Sequence, residues 1–284
     1  MFEVIEDTLI DGVKLIPFLF ITYLFMEILE HKMNNNVREK IAKSGKSGPV
    51  WGGILGVLPQ CGFSTAAASL YSGGIITVGT LIAVFMSTSD EMLPILISRA
   101  VGAETIFKIL AVKVVIAVIS GFVAEYVYTK IFLKKEREPD IHVVCEEEHC
   151  HCEDGTVVSA LKHTVKIAIY IILISFILNV ITHFLGIENV KSLFSAVPVL
   201  EHMLSALIGL IPNCASSVVI TEFYLDGVIG AGAMMAGLLV NAGVGMLVLF
   251  RLNRHVKQNF SIVGVMYLLG VFWGVLIQIL GITF

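Results

Sequence analysis

The chain has 284 residues, of which 56% are hydrophobic and only 15% charged, and its mean hydropathy is +0.88. That balance excludes a water-soluble domain and predicts an all-α polytopic membrane protein. The net charge of −4 says little, because the placement of Lys and Arg, not their sum, orients a membrane protein.

Residues 9–31 form a first apolar span long enough to cross a bilayer as a helix. Residues 32–48 are polar and basic, carrying Lys32, Arg38, Lys40, Lys43 and Lys46. In residues 49–73 the apolar runs before Pro59 and after Cys61 are each too short to span. The segment therefore reads as a re-entrant hairpin with Pro59, Gln60, Cys61 and Gly62 at its tip; two spanning helices broken near the midplane are the alternative. Residues 75–98 are apolar but interrupted by Ser87, Thr88, Ser89, Asp90 and Glu91 and by Pro94, the pattern of a discontinuous helix. Residues 104–132 span again, and a polar loop follows at 133–160. The second half repeats the plan, with a span at 161–185, a hairpin at 201–226, a broken helix at 228–250 and a last span at 259–283. The domains are thus a first transmembrane repeat (1–132), a linker (133–160) and a second repeat (161–284).

The two halves share sequence. GVLPQCGFS, from Gly56 to Ser64, returns as GLIPNCASS, from Gly209 to Ser217. At that spacing of 153 positions Pro59/Pro212, Cys61/Cys214, Ser64/Ser217, Tyr71/Tyr224, Gly74/Gly227, Gly79/Gly232 and Ala83/Ala236 are identical. Gln60 and Asn213 are both carboxamides, Asn241 stands where Thr88 stands, and Phe260 and Gly274 match Phe107 and Gly121.

Orientation follows from the basic loops. With the N-terminus outside and three crossings per half, the loops 32–48, 130–137 and 251–257 all fall inside, and these are the basic ones. The C-terminus then lies outside. Three is odd, so the second half is inverted relative to the first. An inverted-topology internal repeat with re-entrant hairpins and discontinuous helices is a secondary-transporter architecture, with the substrate near mid-membrane at the repeat interface.

The hairpin tips are the first candidate site. Backbone groups freed at a helix break need partners, which in hydrocarbon only protein, trapped water or a ligand supplies. Facing tips would bring Gln60, Cys61, Asn213 and Cys214 together with the hydroxyls of Ser64 and Ser217. Thiolates suit soft ions such as zinc, and amide and hydroxyl oxygens suit harder ones such as manganese. The plain alternative is that each Cys is a small buried residue in a tight turn. At the first broken helix, Asp90 and Glu91 would bind the cation or the coupling proton, flanked by Thr88 and Ser89, with Asn241 opposite. An ionisable side chain inside a span is costly unless paired, hydrated or functional. The alternative there is a helix end in water. Glu222 and Asp226 share a helix face and read either as a relay at the outer mouth or as a solvated hairpin end. In the linker, His142, Cys145, His149, Cys150, His151 and Cys152 lie beside five carboxylates. This composition favours a peripheral metal-collecting loop over a plain acidic linker. His31 and His183 read as interfacial anchors. No nucleotide-binding or zincin motif is present.

The Pro-Gln-Cys-Gly and Pro-Asn-Cys motifs, the Ser-Thr-Ser-Asp break, the two-half layout and the His/Cys loop together resemble a bacterial and archaeal family of ten-helix heavy-metal exporters, also labelled manganese transporters or arsenic efflux proteins. The resemblance covers nearly the whole chain. Counting each hairpin as two short helices gives five per half and ten in all. The resemblance implies a prokaryotic cell-membrane transporter, not an enzyme, that carries a metal or metalloid ion out of the cytoplasm and holds no permanent cofactor. The expected partners are the bilayer and the metal ion, with no nucleic acid and with homo-oligomerisation as an option. Two other readings are a carrier or channel for a small anion or organic solute, held by helix dipoles at the breaks, and an integral-membrane thiol enzyme. The latter lacks an intramembrane His beside either Cys in sequence.

Overall fold

The computed structural model describes residues 47–57, 61–89, 92–131 and 198–284, with isolated positions between 16 and 24 and between 157 and 176. The predicted spans 9–31 and 161–185 and the linker 133–160 lie largely outside the described residues. Among the described residues all regular structure is helical: α1 (Gly48–Gly56), α2 (Cys61–Ser72), α3 (Val78–Ser87), α4 (Met92–Ser98), α5 (Ala103–Ile131), α6 (Pro198–Gly209), α7 (Cys214–Leu225), α8 (Ala231–Val240), α9 (Gly245–Leu252) and α10 (Val256–Ile279). Among the described residues four stretches are long and apolar enough to cross a membrane: 78–98, 103–130, 231–252 and 256–279. This agrees with a polytopic membrane protein.

The helix boundaries follow from local chemistry, and several occur twice. Gly74 and Gly227, matched in sequence, both adopt φ of +70°, a left-handed conformation open to glycine at little cost. Each ends its helix with the same pair of bonds. Ile75 N donates to Leu70 O at 2.8 Å and Gly74 N to Tyr71 O at 3.0 Å; Val228 N donates to Phe223 O at 2.8 Å and Gly227 N to Tyr224 O at 3.0 Å. This double bond pattern satisfies the last carbonyls of α2 and α7 before the chain turns into the next helix. The start of α3 is capped by Thr77, whose hydroxyl accepts from Thr80 N at 3.3 Å.

The core sits on the two broken helices. Every residue of α3 and of α8 is buried, so both helices can be apolar all round. In the apolar 18-residue windows of the broken segments 78–98 and 231–252, 75% and 94% of the residues are buried, against 33% and 28% in those of α5 and α10, which therefore form the flanks. Phe107 on α5 and Phe260 on α10, matched in sequence, both face outward, as apolar groups toward lipid would.

Packing repeats with the sequence. α3 lies against α1 and α5, and α8 against α6 and α10. The α3–α5 crossing is closed by Gly79 and Gly121, and the α8–α10 crossing by their counterparts Gly232 and Gly274. A Cβ on Gly121 would come within 2.7 Å of Gly79 O and 2.9 Å of Ala83 Cβ. A Cβ on Gly274 would come within 2.6 Å of both Gly232 O and Ala236 Cβ. Small residues at such a crossing let two backbones touch, the main source of helix association where lipid is as apolar as the side chains. The remaining short helices pair across the halves: α2 packs on α9, and α4 on α7.

Gly121→Ala and Gly274→Ala should each destabilise the protein by about 1–3 kcal/mol, the usual cost of overpacking. Gly264→Ala, where an added Cβ meets nothing within 4 Å, should be close to neutral. Thermal melts of the three variants in one detergent would check this ordering.

Candidate substrate site at the paired helix breaks

Both predicted interruptions are present. α3 stops at Ser87 and α4 starts at Met92; α8 stops at Val240 and α9 starts at Gly245. The residues that end the two helices, Thr88 and Asn241, are sequence counterparts. Thr88 N donates to Val84 O at 3.0 Å, and Asn241 N to Gly237 O at 3.2 Å, again at matched positions. Past these bonds each chain leaves helical geometry, with ψ of 130° at Thr88 and 99° at Asn241.

The side chains at the breaks mostly bond to nearby backbone. Ser87 Oγ and Thr88 Oγ1 both donate to Val84 O, at 3.0 and 2.7 Å, and Ser89 Oγ donates to Ser87 O at 3.2 Å. Asn241 Oδ1 accepts from Gly243 N at 2.9 Å, which closes the second break with a neutral side-chain turn. Ser87, Thr88, Ser89 and Asn241 are all buried. So are Ser64, Thr65 and Ser69 on α2, Asn213 just before α7, and Ser216, Ser217 and Thr221 on α7. A band of buried hydroxyls and carboxamides thus runs through an otherwise apolar bundle. Buried polar groups of this kind persist only when hydrogen-bonded, and in membrane segments they mark solute paths.

The structure brings some candidates together. Ser64 lies against the start of α9: a Cβ on Gly245 would sit within 2.7 Å of the Ser64 carbonyl carbon and Cβ. Helix α2, which follows the first Pro-x-Cys motif, thus abuts the second break. Asn213 N donates to Ile211 O at 2.7 Å, and Ser216 Oγ donates to Asn213 O at 2.7 Å, forming the tight turn that starts α7. Gln60, Asp90 and Glu91, the side chains of Cys61 and Cys214, and the loop residues His142, Cys145, His149, Cys150, His151 and Cys152 lie outside the described residues. Among the described residues no three His, Cys, Asp or Glu side chains converge as a metal site.

Glu222 and Asp226 are tied to a partner absent from the sequence reading. Arg99, just past α4, donates Nε to Glu222 Oε1 at 3.3 Å, and its Nη2 also contacts that carboxylate and lies 3.7 Å from Asp226 Oδ1. The cluster links the first half to the second at one end of the bundle and is partly exposed.

Four further residues carry signals that the periodicity of the spans concealed. Lys113, only 1% exposed inside α5, donates its ammonium to Thr88 O at the first break. Glu125 Oε2 accepts from Gly79 N at 2.7 Å, and Glu201 Oε1 accepts from Gly230 N at 2.6 Å, so a carboxylate sits at the positive N-terminal end of each central helix. His202 is 2% exposed and lies beside Gly232 and Gly274 at the α8–α10 crossing. A buried imidazole therefore does accompany the second half, near the far end of α6 from Cys214. An ionisable residue set into an apolar run was the available signal, alone at Lys113 and Glu125 and as an adjacent pair at Glu201 and His202.

Glu222→Gln should leave the melting temperature unchanged within error, and added salt should do the same to the parent. Exposed ion pairs contribute little and are screened. Gly245→Ala should instead lower it, by about 1–3 kcal/mol of stability, because the added methyl must displace Ser64. Paired melts at low and high ionic strength would separate the two.

No curated protein and no solved structure is similar enough to this chain to be matched. A family profile does match residues 1–184, more than half of the chain. Its description is "Putative, 10TM heavy-metal exporter". With that match over more than half of its length, joined to the membrane-spanning helices and the broken central pair, this chain belongs to the ten-transmembrane heavy-metal exporter family.

Proposed function

We propose that the protein is a secondary transporter that exports a divalent transition-metal or metalloid ion from the cytoplasm in exchange for protons, by alternating access between two inverted halves. The observation that carries this reading is the pair of matched helix breaks at Thr88 and Asn241, buried at the centre of the bundle and surrounded by polar side chains. Broken helices supply a substrate with backbone groups that a continuous helix keeps for itself.

Three features support inversion. The sequence predicts three spans in each half, an odd number. The helix that follows each Pro-x-Cys motif packs on a helix of the other half's broken segment, α2 on α9 and α7 on α4. Trp273 Nε1 donates to Ser120 Oγ at 2.9 Å, and these residues are themselves 153 positions apart. Counterparts that touch each other lie close to a two-fold relation between the halves.

In this reading Cys61, Cys214, Asn213, Asp90 and Glu91 hold the ion. Gln60, Ser64, Thr88, Ser89, Ser217 and Asn241 line its path. Asp90 and Glu91 also carry the exchanged proton. Glu222 and Asp226, paired with Arg99, act at the outer mouth as further coupling groups. The loop from His142 to Cys152 gathers metal on the cytoplasmic side. Manganese and zinc are the leading substrates, since both oxygen and thiol ligands are on offer.

One observation favours a second reading, a carrier for a small anion: the buried ammonium of Lys113 beside the first break. That ammonium points a donor at a carbonyl oxygen, however, and the negative end of a helix does not attract an anion.

Flux into proteoliposomes would test the assignment, using manganese, zinc, cobalt, cadmium and arsenite with and without a pH gradient. One cation should move, faster with an opposing proton gradient, and Cys61→Ala, Cys214→Ala or Asp90→Asn should slow it by more than about tenfold. Movement of no metal, with all variants like the parent, would sink the metal reading; an oxyanion carried independently of Cys61 and Cys214 would establish the anion one.

A further inference from the structure

A helix ending within a membrane leaves its last carbonyls exposed and carries a partial negative charge there. In transporters with broken helices, such C-terminal ends are where inorganic coupling cations bind. The two ends in this protein are not equivalent. At α8 the break is closed by neutral groups, with Asn241 Oδ1 accepting from Gly243 N. At α3 the ammonium of Lys113 reaches across from α5 and donates to Thr88 O. Lys113 faces inward on its helix, since Ile109, Ile116 and Ala117, one turn to either side, are also buried. The position 153 residues later holds Met266, equally buried and without charge. The charge is therefore built into one half of a duplicated frame.

We infer that Lys113 is a tethered cation that fills the carbonyl end of α3, the place where a broken helix would otherwise take up an inorganic cation, and so clamps α5 to the first break. An ion fixed to the chain is never released. The carbonyl end of α3 accordingly has no need of sodium or potassium, and the transported ion is left with side-chain ligands rather than with this carbonyl. Lys113 is in this sense a positioning residue, acting through Thr88 on the geometry of the residues that follow it. The inference does not depend on which ion is carried.

Its test is one of stability, separate from flux. The full-length protein and Lys113→Ala are melted in detergent with increasing ethylammonium chloride, with choline chloride at equal ionic strength, and with propanol as an uncharged filler. Removing the ammonium should lower the melting temperature by roughly 5–15 °C, given what loss of a buried charge partner costs in a protein of this size. Ethylammonium, small enough for the vacated space, should restore at least half of that shift in a saturable way, while choline and propanol restore none and the parent responds to none of the three. A Lys113→Ala melt equal to the parent, or one that ethylammonium moves no more than choline or propanol, would overturn the inference. Should Lys113→Ala give no folded protein, yields of Lys113→Arg and Lys113→Met decide. Arg retains the cation and should fold, whereas Met, the counterpart residue, should not. Equal yields, or a better yield for Met, would overturn it.

Discussion

An α-helix that stops inside a hydrophobic bundle leaves backbone groups that water cannot reach, and the whole arrangement of this protein answers that constraint. The carbonyl of Val84 takes three donors, from Thr88 N and from the hydroxyls of Ser87 and Thr88. Thr88 O takes the ammonium of Lys113. Across the bundle Asn241 uses its own side chain to close the turn. At the opposite ends of the same central helices, Glu125 and Glu201 accept from the first amides. α3 is thus held at both poles by groups of the sign its dipole favours, whereas α8 has a carboxylate at its amino end and a neutral side-chain turn at its break.

That solution needs helices that approach closely, and the glycines provide it. Gly79 on Gly121 and Gly232 on Gly274 place α3 on α5 and α8 on α10 at backbone contact. Close contact brings Lys113 within reach of Thr88, since it is carried on the helix that Gly121 seats. Packing and polar satisfaction are therefore one design: widening the crossing would also pull the cation from its carbonyl. The duplicated Schellman turns at Gly74 and Gly227 then start both central helices from the same geometry, so the breaks fall at matched depth.

Against that common frame the chemistry is unequal. The first half carries Lys113 and, in sequence, Asp90 and Glu91; the second carries Met266, Gly243 and Val244 at the corresponding places. The repeated sequence gives two similar breaks, and their unlike side chains make them chemically unequal. The Arg99 cluster with Glu222 and Asp226 adds a contact between halves at one end only. Its counterpart positions are Leu252 and Ser69, so the corresponding contact of α2 with α9 is not ionic.

Much of this was legible in the chain itself. Composition alone required a membrane protein, because so few charges cannot solvate a surface of this size. The 153-residue spacing exposed the duplication. Ser87, Thr88 and Ser89, set into an apolar run, located the first break to the residue, and Asn241 located the second by register. What the sequence could not supply was partnership. Lys113 reads as one polar residue in a long span until α3 is laid beside α5. Glu125, Glu201 and His202 are likewise isolated characters whose partners stand 29 residues away or more, as for Glu201 with Gly230 and Glu125 with Gly79. Local patterns record where a helix must stop, because stopping depends on the residues of that segment. Tertiary structure alone decides which distant side chain satisfies the end so exposed, because that depends on which helices glycine lets come close.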